Sequence, residues 1–213
     1  IYNHVVSNVE KPMRIHLTFL LIIGISLISL GQTNSELIKT LKKELPESST
    51  KDGRWVFNES ESEIHKIEKP LISEFFPDVA LYKVMLTNYL GYHVNKSNCL
   101  ILFNRQKSKI QLVEPIWYSD IDKKFLKKFI GLEFKDKKTL NEFCYELQDL
   151  MLIGSNYEIN NTKITESNIT FDLTYEGRLK REVWRNLEIK INGLEINGFL
   201  STNPRMNETT KVE

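Results

Sequence analysis

The chain has 213 residues, and its 29 lysines and arginines are nearly balanced by 28 aspartates and glutamates, which leaves a net charge of +1 at pH 7. Because the charges are so nearly balanced, the overall charge gives no reason to expect that the chain binds nucleic acid or a charged surface. The length suits a single domain with a hydrophobic core of its own.

The most apolar segment begins at Met13, where the sequence reads MRIHLTFLLIIGISLISLGQTN. A basic start at Arg14 precedes the uncharged residues 17–30, and small residues then precede Gln32. A basic start, an apolar core of about 7–15 residues and a small-residue cleavage site are typical of a secretory signal peptide. The sequence therefore predicts a signal peptide over 13–31, cleavage before Gln32, and a secreted or periplasmic protein.

The alternative for this segment is an uncleaved anchor, which would make the protein a membrane-tethered subunit. A spanning helix needs about 18 or more apolar residues, and the core over 17–30 is shorter. Its ending, SLGQ, resembles the ends of signal peptides in secreted bacterial proteins. Residues 1–12 are predicted to be an upstream extension that is not native. We expect residues 32–213 to form one domain that meets a membrane only through the transient signal peptide.

The first predicted elements are a short helix and several strands. Apolar residues recur at helical spacing over 35–45 and alternate with more polar ones over 82–86. Between them, residues 46–70 are polar and acidic apart from one WVF run, and are predicted to be loosely structured. Apolar runs at 99–104 and 109–115, separated by a polar loop, predict a β-hairpin.

Two amphipathic helices are predicted next. The sequence SDID resembles a capping box and opens an apolar stripe over 121–130. Thr139 and Glu142 form a second box, T-x-x-E, before a stripe over 140–151. A glycine follows each stripe, where it suits a helix C-cap.

The C-terminal third is predicted to be a meander of about four antiparallel strands. Apolar and polar residues alternate over 169–175, as in a strand with one face in water. Asn192 and Gly193 predict a two-residue turn that pairs Ile191 with Leu194.

Strands grouped apart from helices indicate the α+β class. We therefore predict an antiparallel β-sheet, built of hairpins and the C-terminal meander, with two or three amphipathic helices packed on one face. Residues 203–213 are predicted to be a polar tail.

The sequence contains none of the common catalytic or cofactor motifs. H-E-x-x-H, G-x-S-x-G, a Walker loop and a glycine-rich dinucleotide turn are all missing. A zinc site would require four scattered residues, His65, His93, Cys99 and Cys144, to converge. We therefore predict no catalytic residue, metal or cofactor, and expect a non-catalytic binding or cell-envelope accessory module.

His93 offers the one enzymatic alternative. It lies between two strand-like runs, near Tyr89 and Tyr92. In a deep pocket, hydrogen-bonded to a nucleophile, its imidazole would act as an acid or base and the chain would be a small secreted hydrolase. Exposed beside a shallow aromatic surface, it would instead contribute to binding.

Trp117 and Tyr118 are further candidate binding residues. They stand just before the first predicted amphipathic helix. Exposed rings there would stack on a glycan, a small molecule or the side chains of an envelope protein, whereas buried rings would belong to the core.

The polar face of that helix carries four lysines, Lys123, Lys124, Lys127 and Lys128. Residues 123–138 contain seven lysines and two acidic residues, so the local charge is +5. The simplest interpretation is a solvated helix face, and the alternative is a face that binds an anionic partner in the envelope. Basic and aromatic residues are not interleaved there, which argues against nucleic acid.

The two cysteines, Cys99 and Cys144, have two alternatives. An exported protein meets an oxidising compartment, where the pair would form a disulfide. Both residues lie in apolar stretches, however, and free cysteine is often buried as a small hydrophobic residue. Neither belongs to a C-x-x-C redox motif.

Overall fold

The structure, a computed structural model, describes five stretches of the chain: 34–47, 53–90, 93–116, 121–176 and 181–213. The predicted extension 1–12 and signal peptide 13–31 lie outside them, so their prediction stands as made. Within the described stretches, no helix combines the length and the apolar composition that crossing a membrane requires.

The described residues form four helices and ten strands, and the predicted α+β class is confirmed. The helices are α1 (34–44), α2 (Pro70–Phe75), α3 (Lys123–Leu126, continued by a 3-10 turn over Lys127–Phe129) and α4 (Lys137–Met151). The strands are β1 (Trp55–Val56), β2 (Ile64–Ile67), β3 (Val79–Leu90), β4 (His93–Asn104), β5 (Lys109–Val113), β6 (Glu158–Ile164), β7 (Asn168–Glu176), β8 (Arg181–Asn192), β9 (Glu195–Asn203) and β10 (Glu208–Val212).

These strands form two antiparallel sheets of five strands each. The first sheet has the order β1-β3-β4-β5, and β2 pairs with β3 farther along the same edge. The second sheet is a meander, β10-β9-β8-β7-β6, in which every strand pairs with its neighbour in sequence. The predicted hairpins and the predicted meander thus belong to two separate sheets.

The first sheet is buried on both faces because its central strands are apolar on both sides. One face, which carries the paired Val84 and Cys99, packs against Leu37 and Leu41 of α1. We call this the α1 cluster. The other face, including Leu100, belongs to a larger central cluster that also contains α2, α3, α4 and the inner face of the second sheet.

Phenylalanine rings dominate the middle of the central cluster. Phe129 and Phe143 join the 3-10 turn to α4, with ring centroids 5.8 Å apart. Phe134 packs on Phe143 at 5.0 Å, and Phe75 of α2 lies 5.5 Å from the same ring. Such pairs add roughly 0.5–1.5 kcal/mol each beyond the area they bury. They hold the three helices together between the two sheets.

The predicted start of α4 is wrong by three residues. Its N-cap is Asp136, whose carboxylate accepts hydrogen bonds from the Thr139 backbone N–H at 2.7 Å and from the Thr139 hydroxyl at 2.9 Å. A charged carboxylate makes a stronger hydrogen bond than a hydroxyl, so Asp136 caps the helix and Thr139 becomes a donor. The first amphipathic helix, α3, is capped by Asp122, the last residue of the predicted SDID box. The Asp122 carboxylate accepts a hydrogen bond from the Phe125 N–H at 2.7 Å.

The predicted register of the Asn192–Gly193 turn is also wrong. Asn192 pairs with Glu195, so that the turn consists of Gly193 and Leu194, and Ile191 pairs with Ile196. The turn moves by one residue because a bulge between Lys190 and Ile191 keeps both isoleucines inside while Leu194 stays partly exposed. Hydrophobic burial thus outweighed the local turn preference.

Two segments are more ordered than the sequence predicted. Residues 46–70 contain β1 and β2, because Trp55 and its neighbours are buried in the α1 cluster. Residues 203–213 contain β10, which pairs along β9 and buries Val212 opposite Phe199. The predicted polar tail is therefore an edge strand with one apolar anchor.

The structure contains no disulfide between Cys99 and Cys144. Both are buried free thiols. Cys99 lies in the α1 cluster and Cys144 in the central cluster, on the opposite face of the first sheet. The alternative of two buried thiols is the one the fold adopts, because the sheet separates them.

Candidate functional site

The hairpin of β3 and β4 extends beyond the strands beside it. Each of its strands has 12 residues. β5 pairs with β4 only from Leu100 onward, and β1 reaches β3 only as far as Asn88. Along 93–99, the outer edge of β4 therefore has no partner strand among the described residues. The end of the hairpin projects from the first sheet.

Exposed apolar residues cluster at that projecting end. Leu90 pairs with His93, and Tyr89 pairs with Val94, so the four side chains occupy both faces of the hairpin. Leu90 is 44% exposed and Val94 is 57% exposed, although both are large aliphatic residues. His93 is exposed beside them. We call Leu90, His93 and Val94 the hairpin tip.

His93 lies in an exposed position at the start of β4. Its ring makes no hydrogen bond to any described residue, and its side chain lies at the surface rather than in a pocket. The other described histidine, His65, is exposed on β2, and its ring nitrogen approaches Glu63 at 3.4 Å. With Cys99 and Cys144 in separate clusters, the four residues that a zinc site would have required are dispersed over the described part of the fold.

An open groove of about 430 Å³ lies at the base of the hairpin. Lys83, Lys96 and Asn98 line it from the two strands, and Asp149 and Asn156 line it from the end of α4. Its charges are partly paired, since Lys96 binds Glu61 at 3.1 Å and Asp149 binds Lys69 at 2.5 Å. The lining is polar, which suits a hydrated ligand rather than an apolar one.

Gly154 closes one end of this groove. It adopts φ +75°, and a Cβ at this position would overlap the backbone oxygen of Asn98. The Ser97 hydroxyl donates to the Gly154 carbonyl at 3.3 Å. Only glycine allows the turn after α4 to approach β4 so closely. The turn and the hairpin are therefore fixed against each other.

The four predicted lysines form one exposed surface, and we call Lys123, Lys124, Lys127 and Lys128 the lysine face. On the opposite side of the same two turns, Phe125, Leu126 and Phe129 are each no more than 2% exposed. The lysine face makes no ion pair with any described residue. The lysine side chains are directed to solvent because the opposite, apolar side of α3 and its 3-10 turn is buried in the central cluster.

Two carboxyl groups border a small cavity under α3. The cavity measures about 20 Å³, is otherwise mostly apolar, and includes Glu114 and Asp122 in its lining. Partial burial raises the pKa of Glu114; a hydrogen bond from Trp55 opposes that shift, and the nearby Asp122 adds to it. A space of this size accommodates about one water molecule. Asp122 already has a structural role, because it caps α3. Asp120 lies outside the described residues.

The second sheet carries an aromatic cluster that the sequence did not reveal. Tyr157 stacks on Trp184 with ring centroids 6.1 Å apart, and Tyr175 packs edge-on against both. The Tyr175 hydroxyl donates to Glu182 at 2.8 Å, and Arg205 pairs with Glu182 while lying 5.5 Å above the Tyr175 ring. Only the strand register, with its bulge after residue 173, could bring these residues together.

Trp117 and Tyr118 lie outside the described residues, so their predicted binding role remains a prediction. Of the other predicted residues, His93 and the lysine face are on the surface, on separate elements. Among known proteins, no family model, curated protein or solved structure matches this chain. The role of the chain therefore has to follow from its own surfaces.

Proposed function

We propose that the chain is an exported, non-catalytic binding module and that the hairpin tip contacts its partner, an envelope protein. The observation that carries this proposal is the exposure of Leu90 and Val94 beside His93, at the end of a hairpin that outreaches its sheet. Exposed aliphatic residues gathered on a projecting element are typical of protein contact sites.

The chemistry of the tip suits a protein partner. Leu90 lies on one face of the hairpin with His93, and Val94 lies on the other face with Tyr89. Fully burying a leucine or valine side chain stabilises a contact by roughly 1.5–3 kcal/mol, so both would contribute if the partner encloses the tip. The imidazole of His93 both donates and accepts hydrogen bonds. Over 93–96, before β4 meets the turn that contains Gly154, the edge of β4 adds backbone donors and acceptors, which an extended partner segment can pair with.

The test is site-specific photocrosslinking in envelope extract of the source organism. A benzophenone amino acid replaces His93 in one variant and Met206 in the matched control, because Met206 is 64% exposed on the second sheet. We expect one saturable adduct from position 93 and none from position 206. Unlabelled wild-type protein should compete for that adduct, and the L90S/V94S variant should compete at least about tenfold less well.

The L90S/V94S variant should keep the wild-type free energy of unfolding to within about 0.5 kcal/mol, because both side chains are already exposed. Equal adducts from both positions, or an adduct for which wild type and L90S/V94S compete equally, would overturn the proposal. An adduct to a glycan or a small molecule would keep the site but replace the protein partner.

A further inference from the structure

We propose that the lysine face docks on an anionic lipid surface, through the phosphate-bearing headgroups of an envelope membrane. This surface is distinct from the hairpin tip, and its role goes beyond partner binding there. It would hold an exported protein at the membrane from the outside, without a spanning segment.

The first support is the segregation of charge along the chain. Residues 123–138 carry +5. Because the whole chain carries +1, the remaining residues together carry −4. A nearly neutral protein thus presents one strongly positive segment and an otherwise acidic chain. Such a distribution orients a protein toward an anionic surface even when its net charge is small.

The second support is that the spacing of the lysines brings like charges close together. Lys123 and Lys127, and likewise Lys124 and Lys128, are four residues apart, and like charges at that spacing repel each other. Lys137 lies in the first turn of α4, where the helix dipole already favours negative charge. The last-turn position of the lysine face suits the helix dipole, and an anionic partner would in addition offset the repulsion between its lysines.

The third support is that the lysine face makes no ion pair with a described residue, whereas several other lysines do. Lys66 binds Glu68 at 2.5 Å, and Lys96 binds Glu61 at 3.1 Å. The lysine face has no acidic partner among the described residues, and buried Phe125 and Phe129 hold it outward. No described carboxylate therefore competes with an external partner for these charges.

The identity of the side chains favours a lipid surface over a single bound phosphate. The segment contains seven lysines and no arginine. Arginine is the usual choice for a fixed, bidentate phosphate site, whereas lysine acts as a mobile point charge. Several lysines on a convex helix face match a plane of many headgroups.

The test is cosedimentation of the purified exported protein with lipid vesicles. Phosphatidylcholine vesicles with and without phosphatidylglycerol are the probes, at low and high salt. We expect binding only with phosphatidylglycerol, and a loss of binding at high salt. Each lysine near such a surface strengthens binding about fivefold. The K123Q/K124Q/K127Q/K128Q variant should therefore bind at least about tenfold more weakly.

A matched control changes the same number of charges elsewhere. Four exposed lysines on α1 and the β4–β5 turn are replaced in the variant K39Q/K42Q/K43Q/K107Q. We expect this control to keep most of the vesicle binding. The L90S/V94S variant should also bind vesicles normally, which separates this proposal from the proposed function. Equal losses in the two lysine variants, or binding to soluble polyphosphate without binding to vesicles, would overturn the proposal.

Discussion

Gly154 sets the position of the turn after α4 at the scale of a single residue. A Cβ there would overlap the Asn98 backbone oxygen, which cannot move without shifting β4. Gly193 has a similar left-handed conformation, with φ +64°, but a Cβ at that position would have no atom within 4 Å. The two glycines therefore separate the effect of conformation from the effect of close approach.

We predict that Gly154→Ala destabilises the protein more than Gly193→Ala. The Gly193 substitution should lower the free energy of unfolding by about 1 kcal/mol, because alanine disfavours positive φ. Gly154→Ala should add roughly 1–3 kcal/mol of steric cost. Urea denaturation of both variants measures the difference, and equal effects would show that the contact with Asn98 yields without strain.

Single residues also show where sequence-based prediction reaches its limit. The apolar stripe of α4 was predicted because apolar residues recur in the sequence at helical spacing. The N-cap of this helix, however, was assigned to Thr139 rather than to Asp136. Both residue types are good N-caps, and only the folded geometry selects between them. For the candidate site, the sequence identified His93 as notable, while the exposure of Leu90 and Val94 depends on where β5 ends.

The capping of α4 gives a prediction at the scale of one element. Hydrogen bonds from Thr139 lower the pKa of Asp136 in the folded state. The unfolded-state pKa of aspartate is about 3.9. At pH values above it, a carboxyl group whose pKa is lowered by folding stabilises the folded state. That contribution is lost as the pH falls through the folded-state pKa.

We therefore predict that Asp136→Ala is less stable than wild type at pH 7 and that the gap closes under acid conditions. Unfolding free energies of the two proteins, measured from neutral pH down to about pH 3, should converge below about pH 4. A gap that stays constant over this range would mean that the carboxylate does not act as the cap.

The elements that the sequence missed share a physical cause. β1 and β2 have two and four residues, and each depends on pairing with β3 far along the chain. β10 is polar apart from Val212, so its pattern alone does not predict a strand. Short elements have too little intrinsic preference to be recognised, because their stability comes from tertiary contacts. β7 and the β4–β5 hairpin were predicted because their signals are local.

A prediction for the whole molecule concerns export and the state of the thiols. Expressed from Met13 in an exporting bacterial host, the protein should have the mass of residues 32–213, or that mass less ammonia if Gln32 cyclises. The mass should not change with reductant, because the first sheet separates Cys99 from Cys144. Burial raises the pKa of the Cys144 thiol to about 12, so the native protein should also resist thiol reagents at neutral pH.

Intact-mass spectrometry with and without reductant measures both parts of this prediction. A mass that retains 13–31 would contradict cleavage and direct the work to the membrane fraction. A mass lower by two hydrogens before reduction would contradict the separation of the two cysteines.

The central cluster draws on residues from Ile72 to Val212, which spans most of the described chain. During synthesis, the apolar face of the first sheet and its helices would be complete long before the second sheet that covers them. Until β7, β8 and β9 have emerged, that face lacks most of its packing partners and would be open to aggregation. A chain that stays unfolded until these strands have left the ribosome or crossed a membrane avoids this hazard. A truncation that removes them would leave the face permanently uncovered.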